Sequence, residues 1–245
     1  MSPVVYKDNR SYYPQGDGTF RAYSPHTGKL DNLCYHAHEN GHMYLVGQDD
    51  RRYFLQGNGT FRTYSPCTAK FDNLHYHADK NGYMFIIGRR DGCPYYPQND
   101  GTFRALHPDM RRLSALIYYA HEKGDMFIIG RQDRHPYYPQ GDGTFRTLHP
   151  HTGRPCTLSY YAHENGHVYT IGRQDGRHYY PQGDGTFRMF DPTTGRTDAL
   201  IYHVRGKGDM YTVKHGIAYY PQRDNTLLMD GQSYHLSEGD DVSLL

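Results

Sequence analysis

The sequence predicts an all-β protein, a six-bladed β-propeller made of four-stranded repeats, on three observations. Six similar segments recur along the 245 residues, and equivalent aromatic positions are 41, 42, 42, 42 and 40 residues apart. Each unit contains four short runs of β-branched and aromatic residues, which clusters of Gly, Asn, Asp and Pro separate. No 3.6-residue hydrophobic period competes with this pattern. A fixed period of about 42 residues is typical of a propeller, a trefoil or a solenoid array.

The first repeated motif has the form Tyr-Tyr-Pro-Gln-Gly-Asp-Gly-Thr-Phe-Arg. Its copies lie at residues 12–21, 53–62, 95–104, 137–146, 179–188 and, in altered form, 219–228. The Asp-Gly step predicts a tight hairpin turn, because these residues readily adopt positive φ. We expect the Phe to fill an interface and the Gln and Thr to satisfy backbone groups around the turn.

A second motif alternates with the first and supplies the remaining strands. Its copies lie at residues 35–44, 76–85, 118–127, 160–169 and 202–211, with a worn copy at 234–240. In the unit that starts at Asp125, the predicted strands are residues 126–130, 137–140, 144–148 and 157–163. Residues 131–134 and the Pro- and Gly-containing residues 149–155 are the predicted turn and loop.

We expect residues 1–245 to form a single repeat domain, with blades at about 3–41, 42–82, 83–124, 125–166, 167–208 and 209–245. Radial closure lets each small sheet pack on two neighbours. Residues 242–245 resemble a first strand, and we expect them to pair beside the N-terminal blade and fasten the ring. Tandem β-trefoils and an open β-solenoid remain alternatives. Trefoils should show a linker near residues 121–126, and a solenoid should have two atypical ends.

Composition and charge exclude several classes of function. Lys and Arg number 27 against 26 Asp and Glu, and the net charge of +1 argues against a dedicated nucleic-acid binder. No run approaches the roughly 20 apolar residues of a membrane span, so we expect no membrane insertion. Residues 1–10 show no signal peptide. The chain has 26 Tyr and no Trp, so its core must rely on Tyr and Phe. The cysteines lack metal-site spacing and are expected to be free thiols; they are Cys34, Cys67, Cys93 and Cys156.

An arginine follows the first motif's Phe in five units, and folding alone explains it poorly. Arg is rarely buried without a partner. One interpretation is an ion pair with a turn aspartate such as Asp142; the other is a forked hydrogen-bond donor to a ligand. The five arginines are Arg21, Arg62, Arg104, Arg146 and Arg188.

The tips of the second motif are polar and vary between units. They are either solvated hairpin tips or a repeated binding surface. Sugars suit such groups, because hydroxyls need paired donors and acceptors and sugar C–H faces stack on aromatic rings. In the absence of Trp, Tyr138 and Tyr180 are the candidate ring platforms. The candidate tip residues are His38, Glu39, Asn40, Asn81, His121, Glu122, His163, Glu164 and Asn165.

The chain resembles the tachylectin-type β-propeller lectins in its near-identical all-β units and in strands such as residues 41–44, Gly-His-Met-Tyr. The resemblance implies a multivalent carbohydrate-binding protein, a lectin or haemagglutinin, with equivalent sites on successive repeats. Its partners would be glycans of cell-surface glycoproteins or glycolipids, which favours an extracellular location. Several weak sites on one protein would raise its avidity for such a surface. A homo-oligomer remains open.

Catalysis is not expected. No unit carries a nucleophile–base or paired-carboxylate arrangement that the others lack, so the sequence predicts neither an enzyme nor a cofactor. His36 and His38 alternate along a strand and face one side, but the pair recurs only partly, so no metal site is predicted. The alternative function is a structural matrix, storage or protein-interaction scaffold without sugar binding.

Overall fold

A computed structural model describes residues 5–7, 10–24, 27–65, 70–106, 112–148, 154–191, 196–224, 226–236 and 242–244. Every regular element within these ranges is a β-strand, which confirms the all-β class. None of these residues belongs to a helix that is long and apolar enough to span a membrane. The chain divides into two compact units, Met1–Met126 and Phe127–Leu245.

The strands of the first unit are short, as the frequent turn residues require. They are β1 (Val5–Lys7), β2 (Arg10–Pro14), β3 (Phe20–Ser24), β4 (Lys29–Leu30), β5 (His36–Ala37), β6 (Met43–Val46), β7 (Arg52–Leu55), β8 (Phe61–Ser65), β9 (Lys70–Phe71), β10 (His77–Ala78), β11 (Met84–Ile87), β12 (Pro94–Pro97), β13 (Phe103–Ala105) and β14 (Tyr119–Ala120).

The second unit repeats this order and ends in longer strands. They are β15 (Met126–Ile129), which begins at the boundary, β16 (Pro136–Pro139), β17 (Phe145–Arg146), β18 (Tyr161–Ala162), β19 (Val168–Ile171), β20 (His178–Pro181), β21 (Phe187–Asp191), β22 (Arg196–Thr197), β23 (Tyr202–Arg205), β24 (Asp209–Lys214), β25 (Ile217–Pro221), β26 (Leu227–Met229), β27 (Gln232–Leu236) and β28 (Val242–Leu244).

Strand pairing is antiparallel and runs from one strand to the next in the sequence. In the first unit, β10 pairs with β11, with His77 opposite Phe85. That hairpin crosses the blade boundary expected at residues 82 and 83, and β10 to β13 form one four-stranded sheet, so a single sheet takes strands from two of the expected blades. In the second unit, β18 to β28 belong to one sheet. The strands on either side of these second-motif turns therefore pair with each other, and the predicted blade boundaries do not fall there.

The C-terminal strand forms a hairpin with the strand before it. β28 pairs with β27, with Tyr234 opposite Leu244, and the predicted pairing with the N-terminal blade stays a prediction. Only five residues separate the two strands, so closing this hairpin costs little chain entropy.

The third and fourth strands of the repeat are shorter than predicted. β17 and β18 replace the predicted residues 144–148 and 157–163, and a single bridge joins Phe145 to Tyr160. Extra short strands arise where loops were expected, as in the pairing of Phe190 in β21 with Thr197 in β22. Of the predicted loop 149–155, residues 149–153 lie outside the described part of the chain.

Tyrosines form the core on the inner face of the sheet. Strand alternation buries the first ring of each Tyr-Tyr or Tyr-Phe pair, and a Tyr from the next motif meets it edge-to-face. The ring centroids of Tyr53 and Tyr76 are 4.8 Å apart, and those of Tyr179 and Tyr202 are 5.0 Å apart. The same contact joins Tyr12 to Tyr35, Tyr95 to Tyr118, Tyr137 to Tyr160 and Tyr219 to Tyr234.

Most of these buried hydroxyls are satisfied by an aspartate four residues earlier. Tyr53 donates to Asp49 at 2.7 Å, and Tyr76 donates to Asp72 at 2.8 Å. Burial raises the pKa of both hydroxyls, so the tyrosines stay protonated donors. The same bond joins Tyr35 to Asp31, Tyr95 to Asp91, Tyr137 to Asp133, Tyr179 to Asp175 and Tyr202 to Asp198.

A glycine at the end of the first strand of the repeat makes room for this pair. A Cβ on Gly47 would lie 2.5 Å from Tyr53 Cε2 and 2.7 Å from Asp49 Oδ1. The glycine is therefore required by the close approach of the ring and carboxylate, not by a special backbone angle. The same contacts surround Gly88, Gly130 and Gly172.

A glutamine side chain joins successive repeats by exchanging two hydrogen bonds with the backbone of the next repeat. In the first unit, Gln48 Nε2 donates to Met84 O and Met84 N donates to Gln48 Oε1, both at 2.8 Å. In the second unit, Gln174 exchanges the same pair of bonds with Met210, at 3.3 and 3.1 Å. Each bond spans 36 residues, so it fixes one repeat against the next.

Candidate functional site

A row of aromatic rings crosses the outer face of the sheet in the second unit. Because Val168 and Tyr179 point inward, the alternating pattern turns Tyr169 and Tyr180 outward. Their ring centroids are 5.9 Å apart. Tyr161 stacks on Tyr169 at 5.6 Å, and Phe190 meets Tyr180 edge-on at 6.1 Å. The row runs from strand to strand, at right angles to the chain direction.

His163 lies over this row at the tip of the β18–β19 hairpin. Its backbone N–H donates to His167 O at 2.8 Å, and Gly166, with a φ of 84°, closes the turn by donating to His163 O. The imidazole stacks on Tyr169 with a centroid distance of 4.6 Å. Its Nε2 shares a 3.1 Å hydrogen bond with the Tyr180 hydroxyl. Two residues that the sequence singled out are thus in direct contact.

These groups line a groove of about 1000 Å³ that lies within the second unit. Tyr180 and Phe190 give it an aromatic side, and amides, imidazoles and a guanidinium surround them. Gln182 Nε2 donates to Tyr180 O at 2.8 Å, which holds the amide at the rim. The groove is lined by Gln132, His163, Glu164, Asn165, His167, Tyr180, Gln182, Arg188, Phe190 and Thr197.

The groove favours neutral side chains at neutral pH. Burial lowers the pKa of His167 and of His178, which stacks on Tyr169 at 4.2 Å, and the nearby charge of Arg131 lowers the pKa of His167 further. Burial also raises the pKa of the Tyr169 and Tyr180 hydroxyls. Imidazoles and phenols that stay neutral offer both donors and acceptors. The charged residues that line the groove are Arg188 and Glu164.

The repeated arginines are half-buried, and three of them bond to backbone carbonyls. Arg188 Nη1 donates to Asp198 O at 3.3 Å, and Arg104 Nη1 donates to Ser114 O at 3.1 Å. Arg62 does the same with Asp72 O. An ion pair with a turn aspartate is not among these bonds and stays a prediction. The turn aspartates instead accept from a threonine, as Asp142 does from Thr144 N at 2.9 Å.

The predicted polar tips differ in their surroundings. Only His163, Glu164 and Asn165 lie in the groove, together with Tyr180 and Arg188. His38 has an aromatic neighbourhood of its own, with the Phe54 ring at 5.9 Å, and hydrogen-bonds to Asn40 through Nδ1. The remaining tips, Glu39, Asn81, His121 and Glu122, are exposed.

One predicted ring platform is wrong. Tyr138 is 4% exposed, and the Phe127 ring packs on it at 5.7 Å, so a ligand cannot stack on it. Of the repeated arginines, Arg21 lies opposite Tyr13 in the β2–β3 pair. Arg146 borders a different cavity from the groove.

The histidines and cysteines show no metal chemistry in the described part of the chain. No three His, Cys, Asp or Glu side chains come together there in a way that could hold an ion. His36 stacks on Tyr44 instead of meeting His38 at a shared site. Cys34, Cys93 and Cys156 are free thiols, and Cys67 lies outside the described residues.

Sequence reasoning missed several groove residues. Tyr169, His178 and Phe190 belong to the aromatic row, yet only Tyr138 and Tyr180 were singled out as rings. Strand alternation was the available signal, because it places Tyr169 on the face opposite the buried Val168. Thr197 has no comparable signal, since it reaches the groove through the unforeseen strand β22.

Comparisons with known proteins identify no family. No family model matches the chain, and no curated protein matches it. Among solved structures, a CPAP G-box domain is similar over 96% of this chain and 97% of its own, at 14% identity and a TM-score of 0.25. The wild-type TCP10 domain of Danio rerio CPAP with a Danio rerio STIL peptide is 18% identical over 83% of this chain and 99% of its own, with a TM-score of 0.17. A point mutant of that domain is 17% identical over 83% and 100%, with a TM-score of 0.18. Similarity at these TM-scores supports no inference about this chain.

Proposed function

We propose that this protein is a multivalent carbohydrate-binding protein, of the kind the resemblance to tachylectin-type lectins implies. The single observation that carries the proposal is the groove in which Tyr180, His163 and Arg188 meet. An aromatic side stacks on the C–H face of a sugar ring, while imidazole, amide and guanidinium groups pair with its hydroxyls. Glycans of cell-surface glycoproteins or glycolipids are the proposed partners.

The repeats supply the valency. The outer-face pair of Tyr169 and Tyr180 has counterparts in other repeats, and each has its own polar surroundings. The pairs are Tyr44 with Phe54 at 5.5 Å, Phe85 with Tyr96 at 5.7 Å and Tyr211 with Tyr220 at 6.0 Å. Several weak sites on one chain raise the apparent affinity for a glycan-covered surface without any new contact.

A panel of immobilised glycans at pH 7 tests the proposal. We expect wild-type protein to bind at least one member and to agglutinate red cells in a way that the matching free sugar blocks. The His163→Ala/Tyr180→Ala variant should bind more weakly and agglutinate only in part, because other repeats remain. Ile117→Ala removes an exposed apolar side chain at a repeat position that does not line the groove and should leave binding unchanged. Absence of binding across the panel contradicts the proposal.

A closed ring of six blades is the finer form of the proposed fold. Its support is the regular period of the sequence, and an open array of the same repeats is the alternative. Small-angle scattering separates the two. A compact 245-residue chain has a radius of gyration of about 18 Å, and an open array gives a clearly larger value.

A protein-interaction scaffold is the second candidate, and one observation favours it. The outer face of the first unit exposes large apolar side chains, including Tyr64 and Phe71, each 43% exposed. Their rings meet edge-on at 5.5 Å and form an apolar patch suited to a protein partner. Tyr64→Ala/Phe71→Ala should then abolish partner binding, while glycan binding at the His163–Tyr180 groove of the second unit stays unchanged.

A further inference from the structure

A second cavity of about 460 Å³ lies in the second unit, and its lining is basic. Arg146 and Lys207 border it, and none of the described residues that line it is acidic. The hydroxyl-bearing residues Thr157, Ser159 and Tyr161 also line it. Two cations beside hydroxyl donors, without a neutralising carboxylate in the wall, form a surrounding suited to an anion.

Arg146 differs from its counterparts in the other repeats. Its Nε is buried and has no hydrogen-bond partner among the described residues. In Arg62, by contrast, Nε donates to the carbonyl of Asp72 at 2.7 Å. A buried guanidinium nitrogen without a partner is costly, and an oxyanion held beside the guanidinium would offset part of that cost by neutralising its charge.

A repeat position beside the arginine also differs in its side chain. Asp31, Asp72 and Asp198 occupy this position, Ser114 occupies it beside Arg104, and Cys156 stands there beside Arg146. Asp72 lies close enough to Arg62 for the charges to interact and lower the pKa of the carboxyl, against the larger opposing effect of burial. Replacing the carboxylate with a thiol leaves the Arg146 charge less compensated.

Lys207 brings the second charge from the following hairpin. It is exposed and lies between Gly206 and Gly208 at the turn from β23 to β24. Thr157 Oγ1 donates to Gly206 O at 3.4 Å, which ties the hairpin to the cavity wall. Asn40, Asn81 and Asn165 take the lysine's position in three other repeats and Lys123 takes it in a fourth, so the lysine is not a feature of every repeat.

We propose that Arg146 and Lys207 form a binding site for a sulfate or phosphate group. Arg offers several N–H donors in a fixed fork that matches a tetrahedral oxyanion, and Lys adds a mobile point charge. The cavity is in the size range of small-molecule sites, so it has room for an ester of such a group as well as the free ion. This site is separate from the proposed glycan groove, and the proposal does not depend on glycan binding.

Calorimetric titration of the full chain tests the proposal, with inorganic sulfate, inorganic phosphate, glucose 6-sulfate and glucose 6-phosphate as probes against chloride at equal ionic strength. We expect at least one oxyanion to bind wild-type protein and to raise its thermal unfolding midpoint. The preferred probe distinguishes sulfate from phosphate, and free ion from ester. In Arg146→Gln/Lys207→Gln, binding should be weaker by about tenfold or more, because charge-assisted bonds are lost.

Lys214→Gln/Arg223→Gln is the matched control, since it removes two positive charges from the same unit outside the cavity and should bind as wild type does. If Arg146→Gln/Lys207→Gln does not fold, Lys207→Gln alone changes an exposed residue and should still weaken binding. The proposal is overturned if no probe binds wild-type protein, if binding is unchanged in Lys207→Gln, or if the control loses it equally. Tyr180→Ala should retain oxyanion binding, so failure of the glycan groove is a separate result.

Discussion

The two faces of the same strands differ in how much their residues vary between repeats. On the inner face, Tyr179 is fully buried and its hydroxyl is bonded to Asp175, and this arrangement recurs with little change in most repeats. On the outer face, its neighbour Tyr180 is half-buried and bonded to His163, a residue whose counterparts are His38, Asp79, His121 and Arg205. The Tyr–Asp pairs of the inner face are nearly the same in most repeats, whereas the residue at the His163 position of the outer face varies. This difference indicates that the inner face maintains the fold, while the outer face can vary to bind ligands.

The largest effect should follow from filling the space beside a buried Tyr–Asp pair. Gly47→Ala places a methyl group 2.5 Å from the Tyr53 ring, and overpacking of this kind costs about 3 kcal/mol of the free energy of unfolding. Gly41→Ala is the control, because its Cβ would meet no atom and its strain comes only from a φ of 80°. Chemical denaturation measures both. Equal losses would contradict the packing role of Gly47.

The next largest effect compares neighbouring tyrosines on opposite faces. Tyr179→Phe leaves the buried Asp175 carboxylate without its donor and should cost about 2 kcal/mol of unfolding free energy. Tyr180→Phe removes a partly exposed hydroxyl and should cost less than about 0.5 kcal/mol, while weakening glycan binding. Denaturant unfolding and glycan binding are measured on both variants. The comparison fails if Tyr180→Phe is the more destabilising change.

The pH dependence of stability should also separate the two faces. Burial raises the pKa of Asp31 and Asp72 on the inner face, so their contribution is present at low pH and is lost as pH rises through the folded-state pKa. Burial lowers the pKa of His167 and His178 on the outer face. Their contribution to the free energy of unfolding is therefore present above pH ~6.5 and is lost as pH falls towards the folded-state pKa.

His178→Gln isolates the outer-face part of this effect. Its stability should change less between pH 7 and pH 5 than that of wild-type protein, because one group that titrates differently on unfolding has been removed. Denaturation curves at several pH values measure the difference. A steeper loss of stability in the variant would contradict the direction of the pKa shift.

The smallest effect should come from the hairpin turns, which both faces share. Asp142 accepts from the N–H and the hydroxyl of Thr144, and these bonds lower the pKa of its exposed carboxyl. Asp142→Asn keeps an acceptor and should change the midpoint of thermal unfolding by no more than a few degrees. A large loss in calorimetry would show that the charge itself matters.

The sequence predicted local structure better than long-range structure. The turns, the Gln and Thr bonds around them and the buried Phe follow from short motifs, and Gln140 does donate to Tyr138 O as expected. The continuation of sheets across repeats depends on pairings such as His77 with Phe85, which alternation alone cannot distinguish from a blade boundary.

The candidate site was predicted in part for the same reason. His163, Tyr180 and Arg188 carry visible chemistry at a fixed period, so they could be named from the sequence. The burial of Tyr138 could not, because Tyr138 and Tyr180 occupy identical motif positions and differ in exposure.

The central claim is that the outer-face groove binds glycans. The most direct test is equilibrium binding of the best ligand from a glycan panel to wild-type protein and to His163→Ala/Tyr180→Ala at pH 7, with the fold of both confirmed by thermal unfolding. We predict saturable binding by wild-type protein and loss of one class of site in the variant. Identical binding stoichiometry and affinity in the two proteins would contradict the assignment of the site.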